Sequence, residues 1–407
     1  MYIFKAAVVG AGAMGAEIAQ VISFSGLPVV LKDVDQAMLD KGLARILKIY
    51  QGRVDKGKMS PGDVESKMSL ITPALTYDDF ADVDIVIEAV PERMGIKHAV
   101  FQQLAGVLPE SAIIASNTSA LSISEMGAAS GRAAKMVGMH FFNPAHVMKL
   151  VEVIPGLDTA QETVDDVVAF AESLRKLPVV VQECPGFLVN RLLMPYLNEA
   201  VLALEEGEAP AADIDAAMQA WGMPLGPFFM MDMIGLDVCA DVGQYLQEEY
   251  GERMRGAALF PLLVKAGRLG EKNGAGFYGY GSANDDPVKD MIAELQRTGA
   301  VKPSGQTFDP DRLMLPLINE AALCLQEHIA SPADIDMSMV AGTGMTHAGE
   351  RMGPLAVADR IGLDQVCARL EALQARYGER FRPARLLRTK VRAGHLGQAA
   401  GRGFHEY

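Results

Sequence analysis

Residues Ile3 to Gly15 read IFKAAVVGAGAMG, a short apolar run that leads directly into a glycine-rich turn. Gly10, Gly12 and Gly15 have the GxGxxG spacing, and Ala16 to Phe24 continues at helical period. Such a loop needs glycine for a tight turn and for close approach of the backbone to a pyrophosphate, which the N–H groups at the helix start then bind. Because the motif lies between a predicted strand and a predicted helix, it predicts a dinucleotide-binding domain of the Rossmann type.

An acidic residue after the second predicted strand indicates which dinucleotide this loop would bind. Pro28 to Leu31 is a short apolar run that ends in Lys32 and Asp33, and Asp33 lies 18 residues after Gly15. An acid at about this spacing binds the adenosine ribose hydroxyls, and it would repel a 2′-phosphate, so it favours NAD over NADP. Asp33 could instead be a helix cap or a turn residue, and the two functions are compatible.

A histidine and a glutamate form a candidate catalytic pair. Val137 to Ile154 reads VGMHFFNPAHVMKLVEVI, with His140 at the end of an apolar run and Glu152 between two valines. Alternation at period two predicts a strand that places Glu152 on the face opposite its valine neighbours. A buried carboxylate needs a partner, and a histidine held by a carboxylate is a general base that works near neutral pH. These residues alone equally allow an edge strand with an exposed Glu152 and an unrelated structural histidine.

Polar side chains follow two more predicted strands, Asp84 to Val90 and Ile113 to Ser116. The carboxyl ends of parallel strands meet at the edge of an open sheet where ligands bind. The residues after the second strand could instead cap the helix that starts near Ser122, and both functions can hold together. The polar residues concerned are Glu92 and Lys97 after the first strand, and Asn117, Thr118 and Ser119 after the second.

A basic cluster lies in the segment Gln36 to Lys67, which is predicted to be helical. In an acidic protein this cluster is a local positive patch that could neutralise the phosphates of a second ligand. A solvated helical face is at least as good an interpretation. The cluster consists of Arg53, Lys56, Lys58 and Lys67.

Composition limits the compartment and the kinds of partner. The chain has 407 residues, half of them hydrophobic and 22% charged, which suits two or three globular domains with large cores. The net charge of −14 argues against a nucleic-acid partner. Four widely spaced cysteines without a CxxC pair predict a reducing compartment, and neither disulfides nor a zinc site. The longest uncharged run, Ala216 to Met231, is too short to span a bilayer, and a strand starting at Ile3 leaves no room for a targeting peptide. We therefore expect a cytoplasmic protein with no membrane partner and no metal.

From Phe187 onward the chain is predicted to be helical, and it contains a duplication. Segments in the first copy recur 121 residues later until a six-residue insertion near Met345, after which the offset is 127. The two copies end alike, with LGEKNGAGFYGY up to Tyr280 and LGQAAGRGFHEY up to Tyr407. The matching segments are Arg191–Leu193 with Arg312–Met314, Asn198–Ala200 with Asn319–Ala321, Ala212–Asp215 with Ala333–Asp336, Gly226–Pro227 with Gly353–Pro354, and Ile234–Asp237 with Ile361–Asp364.

These observations predict an α/β Rossmann-type domain over residues 1–184, followed by two tandem all-α domains over 185–285 and 306–407. The polar stretch 281–306 joins the two helical domains. A repeat whose face is buried against its copy resembles an isologous dimer within one chain, so we expect a monomer. The first copy has Asn190 where a polar side chain could reach His140, whereas the second copy has Asp311 there and lacks a Cys-Pro-Gly lead-in. We therefore expect the second copy to be structural, with one active site per chain.

Taken together, several motifs resemble those of the L-3-hydroxyacyl-CoA dehydrogenases, and the resemblance covers essentially the whole chain. The duplicated helical region is most similar to the dehydrogenase half of the multifunctional fatty-acid oxidation proteins. Those proteins carry an enoyl-CoA hydratase domain ahead of the dehydrogenase, whereas this sequence begins at the Rossmann strand, so the resemblance does not imply hydratase or isomerase activity. The motifs are GAGAMG, NTS at Asn117–Ser119, HFFNP at His140–Pro144, KLVEV at Lys149–Val153 and CPGFLVNR at Cys184–Arg191.

The resemblance implies NAD-dependent oxidation of a 3-hydroxyacyl-CoA, with His140 as the base and Glu152 holding it. It also implies that Ser119 and Asn190 position the substrate oxygens. Coenzyme A is anionic, and we hypothesise that Arg53, Lys56 and Lys58 of the basic cluster bind its phosphates. The expected cofactor-binding residues are Gly10, Gly12, Met14, Gly15, Asp33, Glu92, Lys97 and Asn117; the expected substrate-binding residues are Ser119, Asn143, Asn190, Arg53, Lys56 and Lys58.

Two other functions compete with this one. A dehydrogenase for a small 3-hydroxy acid without CoA would share both kinds of domain, but such enzymes usually rely on a catalytic lysine, and the His–Glu pair fits them less well. A non-catalytic NAD-binding scaffold would keep the fold without the intact set of Ser119, His140, Glu152 and Asn190. Acyl chain length and association with a separate hydratase or thiolase are left open by the sequence.

Overall fold

The computed structural model describes residues 2–281, 284 and 286–407, and the chain divides into two compact units. The first unit is Met1–Phe187 and the second is Leu188–Tyr407. The division thus falls three residues after the predicted end of the first domain at 184, and both helical copies belong to the second unit.

The first unit is built on one eight-stranded sheet with the strand order β3-β2-β1-β4-β5-β6-β7-β8. Strands β1 to β6 are parallel, β7 is antiparallel to β6, and β8 is parallel to β7. The strands are β1 Ala6–Val9, β2 Val29–Lys32, β3 Ile71–Ala74, β4 Ile85–Glu88, β5 Ile113–Ser116, β6 Met136–Phe141, β7 Leu150–Pro155 and β8 Leu177–Val180; the helices are α1 Ala13–Ser25, α2 Gln36–Asp55, α3 Pro61–Met68, α4 Met94–Val107, α5 Ile123–Ser130 and α6 Gln161–Ser173.

This order confirms the predicted Rossmann-type architecture. The central strands are wholly buried because helices connect the parallel strands across the sheet, which explains why they read as unbroken apolar runs. The strand order reverses between β1 and β4, and ligands of open α/β sheets bind at the carboxyl ends of strands around such a point. The glycine loop and the polar residues after β2, β4 and β5 all follow strands of this region.

The structure adds two features to the sequence analysis of the first unit. The helical segment Gln36 to Lys67 is divided into two helices, because the chain turns at Gly57, which has a φ of +64°, and α3 restarts after a capping box of Ser60 and Asp63. The strand β3 is missing from the predicted strands, since Pro73 interrupts its pattern. Proline is tolerated there because β3 is an edge strand.

The second unit contains the same five helices twice, as the constant offsets predict. One further helix, α12, lies in the polar stretch between the copies, and a short hairpin occupies the six-residue insertion. The helices of the first copy are α7 Val189–Glu205, α8 Ala211–Trp221, α9 Pro227–Ile234, α10 Leu236–Tyr250 and α11 Leu259–Lys265, followed by α12 Asp286–Arg297; those of the second copy are α13 Asp311–Gln326, α14 Pro332–Thr343, α15 Pro354–Ile361, α16 Leu363–Tyr377 and α17 Arg385–Arg392, with β9 Thr346–His347 and β10 Glu350–Arg351 between α14 and α15.

Reciprocal buried ion pairs join the two copies across α7 and α13. Arg191 Nε donates to Glu320 Oε1 at 2.8 Å, and Arg312 Nε donates to Glu199 Oε2 at 3.2 Å. Both contacts repeat at the 121-residue offset, so each copy supplies the cation to one pair and the anion to the other. Breaking such a pair leaves a buried charge without compensation, which costs about 3–5 kcal/mol. This symmetric packing explains why the copies form one compact unit.

Each copy also contains an aspartate, buried in the first copy and partly buried in the second, that binds the chain near the end of that copy. In the first copy Asp215 accepts a hydrogen bond from the hydroxyl of Tyr278 at 2.7 Å. In the second copy Asp336 lies 2.7 Å from Nε2 of His405, which replaces the tyrosine. The hydrogen bond to Asp336 raises the pKa of His405 above its usual value of 6.5. The contact in the second copy therefore involves a histidine that titrates near neutral pH, whereas the equivalent contact in the first copy involves a tyrosine hydroxyl.

Within the described part of the chain, no helix combines the length and apolar character that crossing a membrane requires.

Replacing His405 with tyrosine, the residue of the first copy, should remove a pH-dependent contribution to stability. Because the folded-state pKa of His405 is raised, its contribution is fully present below about pH 6.5 and is lost as the pH rises through the raised pKa. The measurement is the thermal unfolding midpoint of the wild type and of His405→Tyr, taken at a series of pH values from below about pH 6.5 to above the raised pKa of His405. The wild type should lose stability relative to the variant as the pH rises; a constant difference between the two would contradict this account.

Candidate active site

The three glycines of the first loop each meet a different steric demand. Gly10 has a φ of +106°, and a Cβ there would lie 2.5 Å from the carbonyl oxygen of Ala89. A Cβ on Gly15 would lie 1.8 Å from the carbonyl oxygen of Gly10, so helix α1 can approach the loop only with glycine at this position. Gly12 is the N-cap of α1, and the space that a Cβ would occupy there is open. The loop therefore leaves the N–H groups at the start of α1 accessible to a pyrophosphate, which fits NAD.

Asp33 stabilises the glycine loop from the end of β2. Its Oδ2 accepts a hydrogen bond from Ala11 N at 2.6 Å, and its Oδ1 accepts one from Val34 N at 2.6 Å. The side chain is half-buried and lies beside the loop. The turn function that the sequence allowed for Asp33 is therefore present, and the arrangement is compatible with ribose binding.

His140 and Glu152 lie directly opposite each other on the antiparallel strands β6 and β7. His140 Nδ1 is 2.7 Å from Glu152 Oε2, with the histidine 5% exposed and the glutamate fully buried. The predicted alternative, an exposed glutamate on an edge strand, is wrong because β8 covers the other side of β7. With Nδ1–H donating to the carboxylate, Nε2 is the ring nitrogen that can exchange a proton with a ligand.

Aromatic rings and a backbone link fix the surroundings of His140. The rings of Phe142 and Phe187 lie 4.6 and 5.9 Å from the imidazole, measured between centroids. Asn117 Oδ1 accepts a hydrogen bond from Phe141 N at 2.9 Å, which ties the loop after β5 to the end of β6. The histidine is therefore held on a rigid sheet edge with an apolar surround.

Glu92 and Lys97, both expected to contact the cofactor, belong to one polar network in which Lys97 is buried and Glu92 is exposed. Lys97 is 1% exposed, and its ammonium lies 2.9 Å from both carboxylate oxygens of Glu88 and 3.1 Å from Glu92. The other oxygen of Glu92 accepts hydrogen bonds from the Thr118 hydroxyl and from Ser119 N, the latter at 2.8 Å. The network thus connects helix α4 to the loop after β5.

Glu88 is the residue of this network that the sequence analysis does not single out. It is fully buried at the end of β4, where it also accepts hydrogen bonds from Ser116 Oγ at 2.6 Å and from Val90 N at 2.7 Å. The available signal is the same as for Glu152, a carboxylate inside an otherwise apolar strand. Its partner Lys97 lies on helix α4, so the pairing of the two residues could be recognised only from the three-dimensional structure.

The remaining expected site residues are placed as follows. Ser119 is half-buried in the loop after β5, and Asn143 is exposed after β6 and precedes a cis peptide bond to Pro144. Asn190 lies in the first turn of α7, in the second unit. Met14 is half-buried in the first turn of α1 and packs against the core of the first unit.

The basic cluster does not act as a uniform patch. The guanidinium of Arg53 stacks over the ring of Phe24 at 4.4 Å and is half-buried, whereas Lys56 and Lys58 are exposed just after α2. The guanidinium of Arg53 is therefore partly occupied by its contact with Phe24, and Lys56 and Lys58 are the cations of the cluster most accessible to a ligand.

A Rossmann sheet with an open glycine loop, an acid after β2 and a carboxylate-held histidine defines a dehydrogenase that binds NAD. Comparison with protein-family models gives the same class and identifies the family. The model described as 3-hydroxyacyl-CoA dehydrogenase, NAD binding domain, matches residues 5–184. The model described as 3-hydroxyacyl-CoA dehydrogenase, C-terminal domain, matches twice, at 186–280 and 308–407. The chain belongs to the 3-hydroxyacyl-CoA dehydrogenase family.

Individual relatives agree with this assignment. The fatty acid oxidation complex subunit alpha of Psychrobacter arcticus is 40% identical over 401 residues, which are 96% of this chain and 55% of that protein. The chain thus spans about half the length of such curated relatives. A solved structure of 3-hydroxybutyryl-CoA dehydrogenase from Escherichia coli has a TM-score of 0.85 and 31% identity, covering 97% of this chain and 99% of its own. The (S)-3-hydroxybutyryl-CoA dehydrogenase of Ralstonia eutropha is 41% identical with a TM-score of 0.67, over 69% of this chain and 100% of its own.

Removing the cation of the Glu88 network should be strongly destabilising. Lys97→Met leaves the Glu88 carboxylate buried without its ammonium partner, so the free energy of unfolding should fall by about 3–5 kcal/mol. Urea unfolding of the variant measures this change, and adding Glu88→Gln should recover part of it. The control is Lys5→Met, which breaks an exposed pair with Asp82 and should cost less than about 1 kcal/mol. Equal losses for the two lysine variants would show that the buried pair has no special weight.

Proposed function

We propose that this protein catalyses the NAD-dependent oxidation of an L-3-hydroxyacyl-CoA to the 3-ketoacyl-CoA. The observation that carries the proposal is the buried 2.7 Å pair of His140 and Glu152 on the same sheet as the NAD loop. Relatives named 3-hydroxybutyryl-CoA dehydrogenase and fatty acid oxidation complex subunit alpha support the substrate class.

In the proposed reaction His140 acts as the general base through Nε2. It takes the proton from the 3-hydroxyl of the substrate as the carbonyl forms at C3. NAD⁺, when bound, would supply the acceptor for the hydride that leaves that carbon. Glu152 accepts the hydrogen bond from Nδ1–H throughout the reaction and stabilises the imidazolium that forms. Little rearrangement is needed, because the adjacent strands β6 and β7 already hold both side chains in place. In the reverse direction His140 returns the proton to the 3-keto oxygen.

The proposed cofactor contacts surround the carboxyl ends of β1, β2, β4 and β5. Gly10, Gly12, Met14 and Gly15 would hold the pyrophosphate at α1, and Asp33 the adenosine ribose. Glu92, Lys97 and Asn117 would act from the loops after β4 and β5. Because Lys97 is buried against Glu88, we propose that it acts on the cofactor by fixing Glu92.

The proposed substrate contacts are polar donors and surface cations. Ser119 and Asn190 would donate to the thioester and 3-keto oxygens, since fixed donors at developing oxyanions are a large catalytic term. Asn143 would contact the substrate from the exposed loop after β6. Arg53, Lys56 and Lys58 would bind the phosphates of CoA, and the two exposed lysines would contribute most.

An apolar patch supports the assignment of ligand binding to the first helical copy. Phe229, Met233, Ile234 and Val238 on α9 and α10 are 39–51% exposed. Such a patch on a surface marks a place where an apolar ligand or partner is bound. The equivalent positions of the second copy hold Ala356, Arg360, Ile361 and Gln365, which is a far more polar set. This difference supports one active site per chain.

The proposed biological setting follows from the same features. Four widely spaced cysteines without a CxxC pair support a cytoplasmic location. The reciprocal pairing of the helical copies supports a monomer, since the packing of an isologous dimer is completed within one chain. A separate hydratase or thiolase would supply the 3-hydroxyacyl-CoA or consume the 3-ketoacyl-CoA, and association with either is part of the proposal.

The experiment that tests the proposal is the turnover of His140→Gln and Glu152→Gln with acetoacetyl-CoA and NADH. Loss of the base or of its orienting carboxylate should lower kcat by about 10²–10⁴-fold while the affinity for NADH, followed by its fluorescence, stays near the wild-type value. The control is His146→Gln, which disrupts another His–carboxylate pair, His146 with Glu17 at 3.0 Å, and should leave kcat nearly unchanged. Near-normal turnover in His140→Gln would refute the base assignment.

A further inference from the structure

A cavity of about 520 Å³ lies within the second unit, between the first helical copy and the edge of the second. Its volume falls in the range of small-molecule sites, which is roughly 300–1,000 Å³. Much of the wall comes from α7, α10 and the segment that leads into α11, and the second copy adds Pro316 and Arg380. The main apolar lining residues are Met194, Pro195, Leu246, Met254, Phe260 and Pro316.

The duplication explains why the cavity exists in the first copy. Helices α10 and α16 are equivalent without a gap, so Gly243 in the cavity wall corresponds to Leu370, which is fully buried. Another wall residue, Met254, corresponds to Phe381, also fully buried. The second copy thus fills with side chains the space that the first copy keeps open. Leucine and phenylalanine fill these positions in the second copy, whereas glycine and methionine occupy them in the first. The open space is therefore a feature that distinguishes the first copy from the second.

The charges at the cavity do not suit a strongly anionic ligand. Arg253 and Arg380 both reach it, but Arg253 is 3.2 Å from Glu320, and Arg380 is paired with Glu199. Glu248 lies exposed at the rim. The cations are therefore already neutralised, and the part of a ligand that enters the cavity must be uncharged. Two flexible methionine side chains in the wall can adapt to an unbranched chain.

We propose that this cavity binds a linear alkyl chain of an acyl group, with the polar head left in solvent outside the rim. The choice of an acyl chain over other apolar ligands rests on the proposed function. The cavity lies on the side of α10 opposite Val238. The helical period places the lining residues Gly243 and Gln247 on the face of α10 that points away from Val238. It is therefore separate from the exposed apolar patch of α9 and α10. The chain can come from a free fatty acid or from the tail of a long substrate.

The test uses decanoate as the probe and needs no turnover, so its outcome is independent of the proposed activity. Calorimetry should give one binding site in the wild type, and Gly243→Leu, which introduces the residue of the second copy, should weaken binding about tenfold or more. The matched control Gly106→Leu makes the same substitution on an exposed turn of α4 and should bind as the wild type does. No binding by the wild type, or equal affinity in Gly243→Leu, overturns the proposal.

Two further measurements locate the ligand and identify its source. With ¹³C-methyl methionine, decanoate should shift the signals of Met194 and Met254 but not that of Met59 in the first unit; the reverse pattern overturns the proposal even if Gly243→Leu fails to fold. In turnover assays of a folded Gly243→Leu protein, a raised KM for 3-ketodecanoyl-CoA with an unchanged KM for acetoacetyl-CoA identifies the substrate tail as the occupant. Unchanged KM values for both substrates, together with lost decanoate binding, identify a free fatty acid.

Discussion

The register of β6 on β7 is the constraint on which the catalytic proposal depends. His140 meets Glu152 because these residues are paired in the antiparallel ladder, and a shift of one residue would turn the side chains of β7 to the other face of the sheet. Close packing in the same ladder opposes such a shift. Gly138 is paired with Ile154, and a Cβ on Gly138 would lie 2.9 Å from the Cβ of Ile154. A steric fit two residues away therefore holds the base against its carboxylate, on the same sheet that presents the glycine loop.

The duplicated helices provide an internal comparison between function and structure. Residues that hold the copies together occur in both, as in the reciprocal pairs of Arg191 with Glu320 and Arg312 with Glu199. Residues that would serve a ligand occur in one copy only. Asn190 is replaced by Asp311, the exposed apolar patch is replaced by a more polar set, and Gly243 at the cavity is replaced by Leu370. The symmetric part of the unit thus supports its fold, and the differences concentrate on the copy that follows the NAD-binding unit.

Much of the fold could be predicted from the sequence because its signals are local. The GxGxxG loop, the period-two pattern around Glu152 and the 121-residue offset are each contained in short segments, and the structure agrees with all three. Two of the missed features depend on tertiary context: the edge strand β3 contains a proline, and the pair of Glu88 with Lys97 joins a strand to a helix. The break between α2 and α3 rests on local signals, one glycine and a capping box. The placement of Asn190 and of the basic cluster beside a substrate stays a prediction.

Wild-type turnover with a thioester and with the matching free acid tests the central claim most directly. The account predicts rapid oxidation of NADH with acetoacetyl-CoA, much slower oxidation of NADPH because of the Asp33 carboxylate, and little turnover with acetoacetate. Turnover with acetoacetate but not with acetoacetyl-CoA would assign the protein to small 3-hydroxy acids. Binding of NADH without turnover of either compound would contradict a catalytic role for His140 and Glu152.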